Sequence, residues 1–310
     1  MKKIKNPLIR RIPKELIGDW KKYLVVFLFL VLTIGFVSGM YVANESMITS
    51  ANEGVTKYKQ EDGHFELKKQ ADATLLSAIE TGEKADFKAP KTTLYENFFR
   101  NEEEDYNNDG KKDGTIRVFA KTKDINLACM LQGSFPQKAD EIAIDRMHAD
   151  NVGIKVGDTV TVSGETYKVV GLLAYVNYST LHEKTTDLMF DALKFDVAMV
   201  TQDGFDRLHK SIHYTYAWKY ETEPADEAGE KTRSDNFMLT QVVVADNELE
   251  DYTPKYGNPA INFATDDMGS DKAMGGVLLD ILVVIIAFIF AVTISNTIAK
   301  ESSAIGTLRA

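Results

Sequence analysis

The sequence predicts an α+β membrane protein in which two transmembrane helices flank a mixed α/β domain on the outer side of the membrane. Three observations carry that prediction. Two uncharged apolar runs, 23–42 and 281–299, stand toward the two ends of the 310 residues. Lysine and arginine crowd the outer flanks of both runs. The long stretch between them is acidic and alternates apolar with polar residues at period two, broken by turn pairs. A chain that is 44% hydrophobic and 26% charged fits neither a disordered polymer nor a fully embedded protein.

The first 22 residues carry Lys2, Lys3, Lys5, Arg10, Arg11, Lys14, Lys21 and Lys22 against Glu15 and Asp19, whereas the whole chain has a formal net charge of −10. An acidic centre between basic ends excludes nucleic-acid binding, whose mark is a basic patch. The single cysteine, Cys129, excludes an internal disulfide, a cysteine-built zinc site and a CxxC redox pair. It reads as a small side chain packed near a strand.

Segment 1–22 is a basic cytoplasmic piece in which Leu8, Ile9, Ile12, Leu16 and Ile17 recur near helical spacing, with Pro13 as the expected helix start. The first transmembrane helix, 23–43, begins with YLVVFLFLVLTIGFVSGMYV, long enough to span about 30 Å of hydrocarbon. Trp20, Lys21, Lys22 and Tyr23 supply interfacial anchors. A cleaved signal peptide is the rival reading. The basic region and the apolar run are both too long for one, and Tyr41 stands where cleavage needs a small residue. Gly35 and Gly39, four apart, offer a small-residue face for helix packing.

The central domain, 44–272, opens with a helical stalk through Lys59 and continues with strands at 115–122, 141–144 and 196–200. A helical turn is expected over 146–151. A hairpin lies within 153–174 around Gly157-Asp158 and Ser163-Gly164, and a short helix over 202–209 has Phe205 and Leu208 inward. The polar stretch 221–235 reads as a loop and Met238–Val244 as the last strand. The second transmembrane helix, 273–299, is apolar all round until Thr293, and Asp280 falls at its wetted outer edge. Segment 300–310 is a cytoplasmic amphipathic piece with nothing to stop a helix, so the chain looks cut there. By the positive-inside rule both ends lie in the cytoplasm and 44–272 lies outside.

Few constellations carry chemistry. Asp105, Asn107, Asp109 and Gly110 match the front half of a calcium loop, with Asp113 available at the ninth position. Ile116 stands where the closing Glu belongs, so an Asx-rich surface turn and a weak calcium site are the two readings. His209 and His213 are spaced for one helix face but lack an HExxH frame. Ser179 has no G-x-S-x-G around it, and no phosphate-binding glycine loop occurs. The expectation is a protein that is not an enzyme, with no cofactor and no resident metal.

Two segments resemble the permease subunits of bacterial ABC transporters of the FtsX/MacB/LolC-E type. KESSAIGTLRA at the C-terminal end is similar to the family's E-x-x-x-I-G-x-L-R-A signature. Pro136–Leu173, with EIAI and GIKVGDTV, resembles the family's extracytoplasmic MacB-like core. The resemblance implies that a partner cytoplasmic ATPase subunit pushes the segment after the second span, and that stalks before Lys59 and after Asp266 transmit the movement outward. Carried onto this chain, Glu301, Ile305, Gly306, Leu308 and Arg309 are the expected ATPase contacts. A second permease module or subunit is a further implied partner, since family members have at least four spans and this chain reads as the N-terminal part of one. The alternative is a two-span receptor whose outer domain binds a ligand. A membrane-tethered hydrolase ranks below both.

Overall fold

The structure is a computed structural model that describes residues 17, 18, 20–82 and 89–309, with the backbone alone at 22, 300, 301 and 303–309. The amphipathic segment expected from Leu8 to Leu16 lies outside the described residues, as does the start expected at Pro13.

Among the described residues, two helices are long and apolar enough to cross a membrane. Helix α1 runs Trp20–Lys57 and α6 runs Pro259–Arg309. The first therefore continues well past its apolar run, as the absence of breakers over 44–57 predicts, and the second begins before its own. In the unit made by residues up to Ser50 and from Asp266 on, the two helices pack along a narrow seam. Thr33, Val37 and Asn44 are buried on α1 at near-heptad spacing. At Gly275 an added Cβ would meet the Met40 side chain, and Lys272 Nζ lies 2.6 Å from Glu45 Oε2. The remaining faces of both runs are exposed apolar side chains such as Phe27, Leu32, Phe36, Val284 and Phe288. That exposure is costly in water and ordinary in lipid.

The second unit, Ala51–Thr265, holds eleven strands in two sheets among its described residues. Strands β1 (Gly63–Leu67), β2 (Thr92–Glu96), β10 (Tyr214–Tyr220) and β11 (Leu249–Pro254) form an antiparallel sheet of order β11-β1-β10-β2. Helices α2 (Ala73–Thr81) and α5 (Glu227–Ala245) belong with it. Its core is aromatic: Phe65, Tyr216, Trp218 and Phe237 are fully buried, with Trp218 stacked on Tyr252 and edge-on to Phe237. Gly63 is required here. Its φ of +151° is one that side chains rarely adopt, and a Cβ would stand 2.3 Å from the Trp218 ring.

Between β2 and β10 the chain makes a second lobe. Strands β3 (Phe99–Asp105), β4 (Gly114–Ala120), β5 (Ala128–Gly133), β6 (Glu141–Asp145), β7 (Thr159–Val162), β8 (Glu165–Tyr175) and β9 (Phe195–Val200) follow the order β5-β8-β6-β9-β4-β3-β7. Strand β7 pairs with β8 as well as with β3, which closes six of the strands into a barrel. At 11 residues β8 is long enough to hold β7 along its first half and β5 along its second. Closure removes the edges that an open sheet would leave unpaired. Short helices α3 (Arg146–Val152), capped by Asp145, and α4 (Gln202–Asp206), capped by Thr201, follow β6 and β9.

The strands expected at 115–122, 141–144 and 196–200, the turn at 146–151 and the hairpin of 153–174 all form. Two expectations are corrected. Met238–Val244 is not a strand and 221–235 is not all loop, because α5 occupies Glu227–Ala245. Asp226 caps it, and Ser234, Phe237, Gln241 and Val244 recur at three and four residues on its buried face. Val242 and Val243, which made the segment look like a strand, lie on the exposed face. The helix expected over 202–209 ends at Asp206, although Phe205 and Leu208 are buried as expected.

This assignment sets the cost of two substitutions. Phe237→Ala should destabilise the fold by about 3–5 kcal/mol, whereas Val243→Ala should change stability by less than about 1 kcal/mol. Urea unfolding of the chain in detergent checks this, and equal losses at both positions would return the segment to a strand.

Candidate functional site

The chain enters the central unit through α1 and leaves it through α6; the end of α1 is fastened to Asn126 and Leu127 and, through Gln60, to the barrel loop 176–183, which also holds the start of α6. Helix α1 ends in a left-handed turn: Lys59 has φ +52°, Gln60 N–H donates to Val55 O at 2.9 Å, and Lys59 N–H to Thr56 O at 3.4 Å. From that turn Tyr58 O and Lys59 O accept from the N–H groups of Leu127 (2.8 Å) and Asn126 (3.0 Å). The Gln60 side chain donates to Val176 O at 2.5 Å. Glu61 follows, fully buried. Its carboxylate accepts from Asn126 Nδ2 and lies against His64 Nδ1, both at 2.6 Å, while its N–H donates to Asn126 Oδ1 at 3.0 Å.

Helix α6 is held from the other side of the same loop. Asn258 accepts from Ala260 N–H at 3.0 Å. Ser179 Oγ donates to Ala260 O and Ile261 O at 2.8 and 2.9 Å, and Ser179 N–H to Ala260 O at 2.7 Å. Phe263 packs on His182 and Phe190. Arg117 of β4 then ties the loop down. Its guanidinium donates to Tyr178 Oη (2.7 Å), Glu183 O (3.1 Å) and Asn101 Oδ1 (2.9 Å), and lies 4.4 Å from the Phe99 ring centroid. Ser179, examined in the sequence as a nucleophile, thus spends its hydroxyl on a helix end.

Beside this joint a cleft of about 210 Å³ opens between the small sheet and the barrel, lined by His64, Glu66, Arg117, Tyr178, His213 and Asp251 among others. Burial opposes a charge on His64, but the neighbouring Glu61 carboxylate outweighs it, so its pKa lies above the ordinary histidine value. Asp251 adds to the rise and Arg117 opposes it.

The residues singled out from sequence fall elsewhere. Glu301, Ile305, Gly306, Leu308 and Arg309 continue α6 as helix, with their side chains outside the described residues. Gly35 and Gly39 have open space beside them, and the close approach within the chain is at Gly275 instead. Asp105, Asn107, Asp109 and Asp113 form one tight turn. Asp105 accepts from the N–H groups of Asp109 and Gly110, Asp109 from Lys111, and Asp113 from Tyr106 and Asn107. His209 and His213 do not share a helix, since His213 bridges to Phe99 and its Nδ1 stands 2.7 Å from Glu66 Oε1. Cys129 is half-buried in β5 and accepts from Tyr58 Oη.

One cluster was not legible in the sequence. Glu104 of β3, His148 of α3 and Asp196 of β9 are all fully buried in the barrel lobe, with one ligand atom from each within 4.8 Å of the others. Burial opposes a charge on His148, yet Asp196 and Glu104 together push its pKa up to about 9. Burial raises Asp196 well above the carboxylate range and Asp145 to about 6.

Solved structures offer distant likenesses. The extracellular domain of the noncanonic ABC-type transporter YknZ from Gram-positive bacteria matches at 13% identity over 61% of this chain and 100% of its own, with a TM-score of 0.31. The periplasmic region of MacB from Actinobacillus actinomycetemcomitans matches at 8% over 61% and 87%, TM-score 0.31. A putative lipoprotein from Bacillus anthracis matches at 11% over 62% and 96%, TM-score 0.30. No protein-family model and no curated protein matches the sequence. Likeness at this level is distant and assigns no activity.

The His64–Glu61 pair predicts a pH dependence. A histidine whose folded pKa is raised stabilises fully below its unfolded value, near 6.5, and loses that contribution as pH rises through the folded value. The melting-temperature gap between wild type and His64→Gln should therefore narrow from pH 6 to pH 9. A gap that stays constant across that range would remove the charged pair from the joint.

Proposed function

We propose that this chain is a permease-type subunit of an ABC transporter, with 44–272 outside the cell membrane and both helix ends beyond the spans in the cytoplasm. A partner ATPase supplies the energy, and the chain converts it into movement of the outer domain, for export or for activation of something outside. The observation that carries this reading is the joint just described. Two helices, each continuous from an apolar run into the globular unit, end on adjoining barrel loops: α1 on Asn126 and Leu127 with Gln60 reaching Val176 O, and α6 on Ser179. A helix with an unbroken backbone ladder transmits displacement along its axis, and a helix end fastened at several points delivers it.

Support from the sequence is the similarity of KESSAIGTLRA to the permease signature, which puts Glu301, Ile305, Gly306, Leu308 and Arg309 against the ATPase. Lys and Arg outside both spans support the orientation. Gly35 and Gly39, with open space beside them, suit close packing by a helix of a second permease module or subunit. The calcium reading of Asp105, Asn107, Asp109 and Asp113 is weakened by their use as acceptors for backbone N–H groups within the turn.

A receptor that senses a ligand outside is the second reading, and the polar cleft lined by His64, Arg117 and His213 is the observation in its favour. The joint argues for force transmission whichever way the signal runs.

Co-purification separates the two. The protein expressed in its own cell should carry an ABC ATPase through affinity purification, and the double substitution Ile305→Asp with Leu308→Asp should abolish the association. Retention of the ATPase by the double variant would move the contact elsewhere, and no ATPase with the wild type would leave the receptor reading standing alone.

A further inference from the structure

The buried cluster in the barrel has the chemistry of a metal centre. Burying carboxylates without partners is expensive, because the protein must replace the water they lose. Glu104 is fully buried with neither carboxylate oxygen hydrogen-bonded among the described residues. Asp196 Oδ2 and His148 Nε2 are likewise buried with no hydrogen-bond partner among the described residues. Ligand atoms of the three residues converge within 4.8 Å: His148 Nε2 lies 3.4 Å from Glu104 Oε1, an ion-pair contact too poorly formed for a hydrogen bond that matches the separation of roughly 3.3 Å between donors bonded at about 2.0–2.1 Å to one tetrahedral ion.

The opposite atoms of two of these residues are pinned. His148 Nδ1 stands 2.8 Å from Ala192 O, and since a carbonyl only accepts, Nδ1 carries a proton and Nε2 is the ring atom turned to the cluster, free to ligate once a bound cation displaces any proton on it. Asp196 Oδ1 accepts from Val197 N–H at 2.7 Å and Asp145 N–H at 3.2 Å, which aims Oδ2 inward. Strand β3, helix α3 and strand β9 each contribute one residue, so all three ligands rest on regular elements rather than on a mobile loop.

We propose that Glu104, His148 and Asp196 bind a divalent first-row transition-metal ion, best matched by Zn²⁺, as a structural centre of the barrel. One neutral imidazole with two carboxylates suits such an ion better than Mg²⁺ or Ca²⁺, which take oxygen donors alone. The charges also close: two carboxylates and a dication sum to zero in a site with no water-exposed ligand. Glu104 can bind through both oxygens and so complete four donors without solvent. The ion would tie β3, β9 and α3 together, and it is independent of whether the protein is a permease.

The test uses the whole chain in detergent, stripped with EDTA and titrated with Zn²⁺ alone. Calorimetry and elemental analysis should give one ion per chain, with a rise in melting temperature. Glu104→Gln and His148→Gln should weaken binding by at least roughly tenfold, while His213→Gln leaves it unchanged. X-ray absorption at the zinc edge of the wild type should show one imidazole among oxygen donors, a readout that stands even where a variant misfolds. No uptake by the stripped wild type overturns the proposal. So does undiminished uptake by the folded Glu104 and His148 variants, or a zinc shell with two or more imidazoles.

Discussion

Everything in the central unit is arranged around the pairing of β1 with β11. These strands are the first and last of the unit. They lie side by side and antiparallel, with Gly63 opposite Pro254 and Phe65 opposite Tyr252. The helix that precedes β1 and the helix that follows β11 must therefore start from neighbouring points. The barrel is an insertion on the same principle, since it leaves from β2 and returns to β10, which are also neighbours. Backbone ladders thus tie each entry to its exit, and neither lobe can rotate freely without breaking one.

The loop 176–183 adds a second tie, and its chemistry differs. The β1–β11 pairing is backbone on backbone, whereas the loop meets the end of α1 through Gln60 and the start of α6 through Ser179, with Arg117 holding the loop itself and Asn126 holding Glu61 beside it. Such bonds are strong while dry, and each leaves an expensive orphan when one partner is lost. The buried Glu61 carboxylate is the extreme case, matched by Asn126 and His64 together. A joint of this kind has few intermediate states, which suits an element that must either follow a helix or stay put.

The proposed metal cluster adjoins this joint through the paired strands β4 and β9 but draws its ligands from Glu104, Asp196 and the His148 side chain of α3. Its three ligands come from strands and a helix of the lobe whose apolar core includes Ile116, Ile144, Val160 and Tyr167. A bound ion there would make the barrel a rigid body, leaving movement to the places where helices join it.

How much of this the residues announce in order along the chain follows from the range of the forces involved. Apolar runs long enough to span lipid, the hairpin around Ser163-Gly164, the EIAI strand and the helix after it depend on neighbours within a few positions, and all were legible. Strand β3 was not: FRNEEED looks like a solvated charge run, and only the barrel shows that Glu102 is buried against Ser163 and Lys210 while Glu104 faces His148. Helix α5 misled for the same reason in reverse, its exposed valines imitating a strand. The joint needs Asn126, Ser179 and Arg117 brought to Glu61 and Ala260 from far along the chain, and the cluster needs three strangers in sequence. The amino-acid order by itself determined the two spans, the charge asymmetry and the local turns. Only tertiary structure decided which charges are buried and with whom, because desolvation is set by everything that surrounds a group and not by what precedes it in the chain.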